Sequence, residues 1–282
     1  MDTIGIWTFA FDGQPAAQVR EAAAELDELG YGALWFGEGF GREALTQAAL
    51  LLHATSRLTV ATGIAQTSLR SPRAMAMAHH TLIEAFPERF LLGLGGHRSP
   101  GQPGAPTDAR PLDTMRDYLD AMDQVPGFGV QPRRALAALG PQALKLAAEK
   151  TEGAHSYFVP VEHTAKAREL LGPEPLLAVE QAVVLGGDKD VARQHVTTYM
   201  VAKHQTNNLR RFGYTDDDFA GSDRLVDAIT VTGDVDAVAK RVQEHLDAGA
   251  NHVCIQVLTS DPGRIPLAEW RELADLIPRH AA

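Results

Sequence analysis

The sequence is short of several things, and each scarcity removes a class of protein. Among 282 residues there is one cysteine, Cys254. No intrachain disulfide can form, which fits a reducing compartment, and no paired-Cys motif is available for zinc or redox chemistry. Cys254 lies within the apolar run "HVCIQVL" and reads as a small buried hydrophobe. Cations are also scarce: 26 Lys and Arg stand against 36 Asp and Glu, for a formal net charge of −10. A nucleic-acid footprint needs a basic stripe, and the one local cluster, Arg210-Arg211 near Lys203, is too small for one. Long apolar runs are missing as well. The longest stretch, near 48–52, falls far short of the ~20 residues of a membrane-spanning helix. The N-terminus enters a strand pattern with no basic leader. We therefore expect a cytoplasmic protein with neither nucleic acid nor membrane as partner. Walker A, GxSxG and HExxH motifs are absent. The 11 histidines are scattered, so no metal site is expected.

What is present is an alternation. Short apolar segments predict strands at 4–7, 33–36, 58–62, 89–96, 134–140, 155–159, within 176–185, and at 252–258. Amphipathic helical patterns follow them. Residues 16–29 place Val19, Ala22, Ala23 and Leu26 on one face, with Gly30 as the stop. Ser71-Pro72 opens another helix as N-cap and first-turn proline, and Pro141 opens a third. Further helices are expected at about 112–124, 163–171, 189–202, 234–249 and 267–277. Residues 97–111 are Gly/Pro-rich, and the polar stretch 203–224 reads as an irregular insertion. Apolar strands buried on both faces, each followed by a helix, belong to parallel sheets. Eight such units in one chain predict a (β/α)8 TIM barrel forming a single domain over residues 1–282. A doubly wound open sheet fits less well, because the first turn, "IGIWTFAFDG", lacks its glycine fingerprint.

In such a barrel the site lies at the C-terminal ends of the strands. Three of those ends are rich in glycine: "ATGIA", "GLGGHR" and "ALGPQ". Glycine lets backbone approach a ligand closely. "ALGPQ" also sets a helix N-terminus beside the pocket, where free N–H groups and the helix dipole favour an anion such as phosphate. His97 and Arg98 would add positive charge there. Glu38 closes the second strand in "LWFGEG", either as an acid/base or cofactor ligand or as a plain loop carboxylate. Trp7, Phe9 and Trp35 are candidate apolar walls, and equally candidate barrel packing.

With these residues in place, the chain resembles the luciferase-like monooxygenase superfamily, and within it the coenzyme F420-dependent oxidoreductases. The carriers are "LDELGYGALWFGE", "RLTVATGIA", "RFLLGLGGH", "ALAALGPQALKLAAEKTEGAHSYFV", "NNLRRFGY" and "VQEHLDAGANHVCIQVL", in that order and spacing. The resemblance implies that the third strand ends in a bulge with a non-prolyl cis peptide, here Gly63–Ile64, backing a flavin or deazaflavin ring. Thr62, Gly63, Ile64, Glu38 and Gln66 would surround the ring. Gly95, Gly96, His97 and Arg98 would line its linker or phosphate, and Gly140, Pro141 and Gln142 would hold the phosphate. The implied reaction is hydride transfer between F420 and a small organic substrate, with His97 or Glu38 moving the proton. Lys203, Arg210 and Arg211 would meet the acidic tail of that coenzyme. An FMN-dependent two-component monooxygenase and a non-catalytic flavin or deazaflavin carrier are the alternatives. Relatives commonly form homodimers, for which the Ala- and Met-rich faces of the second and third helices offer weak support. Two departures stand out. "KHQTNNLRR" replaces the Pro-Asn-Tyr-like stretch of the related subgroup, and Glu38 occupies the place where sugar-phosphate dehydrogenase relatives carry His, so a sugar phosphate is not expected.

Overall fold

A computed structural model describes residues 2–39, 41–96 and 110–277. Eight parallel strands close a barrel: β1 (Ile4–Thr8), β2 (Ala33–Phe36), β3 (Thr59–Thr62), β5 (Phe90–Gly95), β6 (Arg134–Ala137), β7 (Gly153–Ser156), β8 (Leu176–Leu185) and β10 (His252–Val257). Closure is made by β10, which pairs with β1 (Gly5 opposite Cys254) and with β8 (Glu180 opposite Cys254). Two short strands complete the sheet. β4 (Ala65–Gln66) pairs with β5, and β9 (Thr230–Gly233) pairs with the far end of β8.

Helices α1 (Ala16–Leu29), α2 (Ala44–Ala54), α3 (Pro72–Ala85), α4 (Pro111–Asp123), α5 (Pro141–Lys150), α6 (Val161–Leu171), α7 (Lys189–Tyr199), α11 (Val235–Asp247) and α12 (Leu267–Leu273) cover the outside. Their starts follow local chemistry. Ser71 accepts from the Ala74 N–H at the head of α3, and Asp234 accepts from Ala237 at the head of α11. Gly30 ends α1 in the left-handed conformation. The strand faces turned outward pack with the helices into the main core, which includes Ile6, Leu34, Val60, Leu92, Leu136, Val179 and Ile255. The inward faces form a narrow axial core of Trp7, Trp35, Leu91 and Cys254 among small residues, Ala33, Ala61, Ala135 and Ala178.

Two expectations need correction. The sixth strand runs over Gly153–Ser156 rather than 155–159. Tyr157 and Phe158 are apolar because they join a second core, not because they extend the strand. Phe158 has φ +60°, which breaks the ladder there. Residues 203–224 are not irregular either. They contain α8 (Lys203–Arg210), α9 (Asp216–Phe219) and the start of α10 (Asp223–Ile229). The helical period is hidden because the buried face of α8 is largely polar, with Gln205, Thr206 and Asn208 beside Leu209. Leu209, Tyr214, Leu225 and Val226 pack with Phe158, Val184 and Val196 into the second core, which seats α7 to α10 on the β7–β8 side of the mouth.

Candidate active site

The stretch after β3 is a one-residue bulge. Ala61 lies opposite Leu91 of β5, but Ala65 lies opposite Leu94, so four steps on one strand match three on the other. The extra length is taken up at Thr62, Gly63 and Ile64, and the Gly63–Ile64 peptide is cis. Backbone bonds hold both sides: Gly63 N–H donates to Phe36 O at 2.7 Å and Glu38 N–H to Ile64 O at 3.2 Å. The Thr62 hydroxyl donates to Gly93 O at 2.7 Å. Gly93 must be glycine, since a Cβ there would lie 1.8 Å from the Thr62 carbonyl oxygen.

Glu38 is the post to which the bulge is tied. Its Oε2 accepts from Gln66 N at 2.7 Å and from Arg70 Nη1 at 3.0 Å. Its Oε1 accepts from Ala44 N at 3.0 Å and from Arg70 Nη2. The Gln66 amide donates to Glu38 O at 2.7 Å. Four donors saturate the buried carboxylate, and none belongs to a mobile ligand. This arrangement positions the bulge and leaves no lone pair poised for proton transfer. Arg70, which the sequence reading missed, completes the cage and also pairs with Glu43 at 2.8 Å.

Across the axis the polar atoms are differently treated. A Cβ on Gly63 would sit 2.5 Å from Trp7 Nε1 and 3.1 Å from His155 Nε2. Both of these nitrogens are buried and have no partner among the described residues, as is true of Gln66 Oε1. His155 Nδ1 donates to Ala178 O at 3.3 Å, which leaves Nε2 as a bare acceptor. Burial depresses the imidazole to about 3, so it is neutral. Its ring stacks on Trp35 at 4.4 Å. Trp35 is thus barrel packing, donating to His252 Nε2 at 3.0 Å. Trp7 faces the mouth, in contact with Phe9 at 4.5 Å and Tyr157 at 4.9 Å. The Tyr157 hydroxyl donates to Gln256 Oε1 at 2.9 Å, so the hydroxyl proton of Tyr199 fills the 2.7 Å bond between the two tyrosines.

Glu180 is the other residue missed from sequence. It accepts from Phe158 N–H at 3.0 Å through Oε2, while Oε1 has no partner. Burial pushes its carboxyl up to about 8. The signal was present: a lone acid inside "LLAVEQAVVL".

The remaining expected residues fall around the rim. Gly95 closes β5 against Ile64 and Ala137, and Gly96 is exposed. Gly140 is the N-cap of α5, with Pro141 and Gln142 as its first two residues. His97 and Arg98 lie outside the described residues. Of the three cations near 203–211, Arg210 is turned to Asp216 at 2.5 Å and lies over Phe219 at 5.0 Å. Arg211 is turned to α5, with a guanidinium nitrogen 3.4 Å from where a Gly140 Cβ would be. Among the described residues no cluster of three or more His, Cys, Asp or Glu could hold a metal, and no helix is long and apolar enough to cross a membrane.

A closed eight-stranded barrel thus carries a bulge after β3 and a helix N-terminus at its rim. The luciferase-like monooxygenase model matches residues 3–252, so the chain belongs to the luciferase-like monooxygenase family. A Mycobacterium tuberculosis protein provisionally named as a coenzyme F420-dependent oxidoreductase is 28% identical over 176 residues, 58% of this chain. The match spans only 46% of that relative's length. Solved structures share the fold. An F420-dependent secondary alcohol dehydrogenase in complex with an F420-acetone adduct superposes with TM-score 0.75 at 14% identity, covering 99% of both chains. The coenzyme F420-dependent tetrahydromethanopterin reductase of Methanopyrus kandleri gives 0.76 at 16% identity over 98% of each. The oxygenating constituent of the 3,6-diketocamphane monooxygenase of Pseudomonas putida, in complex with FMN, gives 0.74 at 17%, covering 99% of this chain and 97% of that one.

Proposed function

We propose that this chain is a coenzyme F420-dependent oxidoreductase that transfers a hydride between the deazaflavin and a small organic substrate. The observation that carries the reading is the bulge at Gly63 and Ile64, bordered by the unpartnered Trp7 Nε1, His155 Nε2 and Gln66 Oε1. Buried polar atoms without partners are costly in a folded chain, and a heteroaromatic ring with its own N–H and C=O groups is the kind of ligand that satisfies them. The residues present therefore fit such a ring. The name of the mycobacterial relative favours F420.

When bound, the deazaflavin supplies a hydride at its C5. The protein's part is to orient and to exclude water. The backbone at Gly63 and Ile64 would support the ring, and Glu38 with Arg70 keeps that backbone in place. Gln66 Oε1 would be available to a ring N–H. Trp7, next to the bulge, with Phe9 and Tyr157 packed against it, would form an apolar wall that keeps water from the reacting centre. The first turn of α5, at Gly140, Pro141 and Gln142, receives the phosphate. Cytoplasmic location and a homodimer built on α2 and α3, where Met77 of α3 is exposed, belong to the same reading.

A second reading is an FMN-dependent monooxygenase, favoured by the FMN-holding neighbour, whose fit is as good as that of the F420 enzymes. Fluorescence titration of the apoprotein with F420 and, separately, FMN decides between them. Micromolar or tighter binding of F420 with weak FMN binding is expected. The reverse preference selects the monooxygenase, and binding of neither ends the cofactor reading.

A further inference from the structure

The crevice between α5, α6 and α8 holds a buried polar group with no partner among the described residues. Asn208 is completely buried, and its Nδ2 has no partner. Its Oδ1 accepts from Arg211 Nη1 at 3.3 Å, which fixes the amide with its N–H groups turned elsewhere. Both residues line the crevice together with Pro141, the first residue of α5. The N-cap of α5 is Gly140, which has no side chain to accept from the first-turn N–H groups. That helix end presents its donors and the positive end of its dipole to whatever lies beyond. The Arg211 guanidinium stands 3.4 Å from the place of a Gly140 Cβ, which brings it to the head of α5. Lys166, on the α6 side, is already paired with Glu169, and Glu162 also lines that side, so an anion is directed to the α5 edge.

We propose that Asn208 and Arg211 are the side-chain half of an anion subsite whose other half is the first turn of α5, and that its ligand is the phosphate ester on the side chain of the bound deazaflavin or flavin. The assignment rests on the cofactor reading above. It separates the two neighbouring arginines of "NNLRRFGY". Arg211 recognises the ligand, whereas Arg210 is spent on Asp216 and Phe219.

The test is a set of fluorescence titrations of the full chain with two ligand pairs: F420 and its phosphate-free deazaflavin chromophore, and FMN and riboflavin. Arg211→Gln is expected to weaken the phosphate-bearing member of the preferred pair by about tenfold or more, the loss of a charge-assisted hydrogen bond, and to leave the phosphate-free member unchanged. Asn208→Asp, which turns a donor into an anion, should do the same, and Arg210→Gln should change neither. Thermal melting checks that each variant folds. Arg211 is exposed, so its variant carries the test even if the buried Asn208→Asp chain does not fold. The pair that responds tells which cofactor supplies the phosphate. Equal weakening of both members of a pair, or no weakening, overturns the subsite while leaving the cofactor reading intact. Wild-type protein that binds no member of either pair overturns both.

Discussion

The two sides of the barrel mouth treat their buried carboxyls in opposite ways. On the β2–β4 side every oxygen of the Glu38 carboxylate has a donor, and the charge is matched by Arg70. On the β7–β10 side, together with α7 and α8, buried polar atoms are left alone: His155 Nε2, Glu180 Oε1, His195 Nε2, Gln205 Oε1 and Asn208 Nδ2. A satisfied network is rigid, and an unsatisfied one is ready for a ligand. The first side is a platform braced at Glu38, and the second leaves Glu180 with one oxygen open.

The largest effect that would sharpen this contrast is acid. Burial depresses His79, His155, His163, His195, His245 and His252 to between about 3 and 4. Five of these six lie on the β7–β10 side; His79 is on α3. The unfolded chain binds those protons from about pH 6.5 downward and the folded chain does not. Stability is therefore full above pH 6.5 and falls below it, by about 1.4 kcal/mol per pH unit for each imidazole. Hydrogen exchange at pH 5 should show β7–β10 losing protection before β1–β5. Uniform loss would dissolve the distinction.

Glu180 runs the other way. Its folded carboxyl holds its proton to about pH 8, whereas unfolded glutamate gives it up near 4.5. The group thus costs stability progressively as pH rises between those values. Glu180→Gln keeps the acceptor for Phe158 N–H and removes that cost. Urea unfolding at pH 8 should find the variant more stable by about 4 kcal/mol relative to the difference at pH 5. An unchanged pH profile would mean that the carboxyl ionises as freely in the fold as in the open chain.

On the platform, Arg70→Ala leaves the buried Glu38 charge with backbone donors only. A loss of about 3 kcal/mol and of cofactor binding is expected, from denaturant unfolding and the same titrations. A variant of wild-type stability would place Glu38 outside the scaffold. Gly63→Ala is the smaller change. Its methyl would meet Trp7 Nε1 at 2.5 Å, and the overpacking should cost about 1–3 kcal/mol. A fluorescence shift of the tryptophan emission would report the displaced ring.

Much of the fold was legible because a closed parallel barrel buries both faces of each strand. Segments such as "ALWF" and "FLLGLG" then appear as short apolar runs between amphipathic helices, and their order alone gives the eight units. The α5 N-terminus was visible as "ALGPQ", since glycine and proline act through the local backbone, whereas the bulge after β3 was expected at "ATGIA" only from the family resemblance. Glu38 was visible as a residue but not as a role. The donors that saturate its side chain come from Ala44, Gln66 and Arg70, which stand 6, 28 and 32 residues away, so the balance between acid/base and scaffold is struck only when they converge. For the same reason the neutral His155, the protonated Glu180 and the helical α8 were hidden. A charge state is set by how much water the surroundings exclude, and a polar helix face is buried only if a partner surface receives it. By itself the sequence determined the repeating units and most of their starts and stops. The tertiary structure alone decided which polar groups are satisfied and which are left waiting, because that depends on the three-dimensional meeting of residues far apart in the chain.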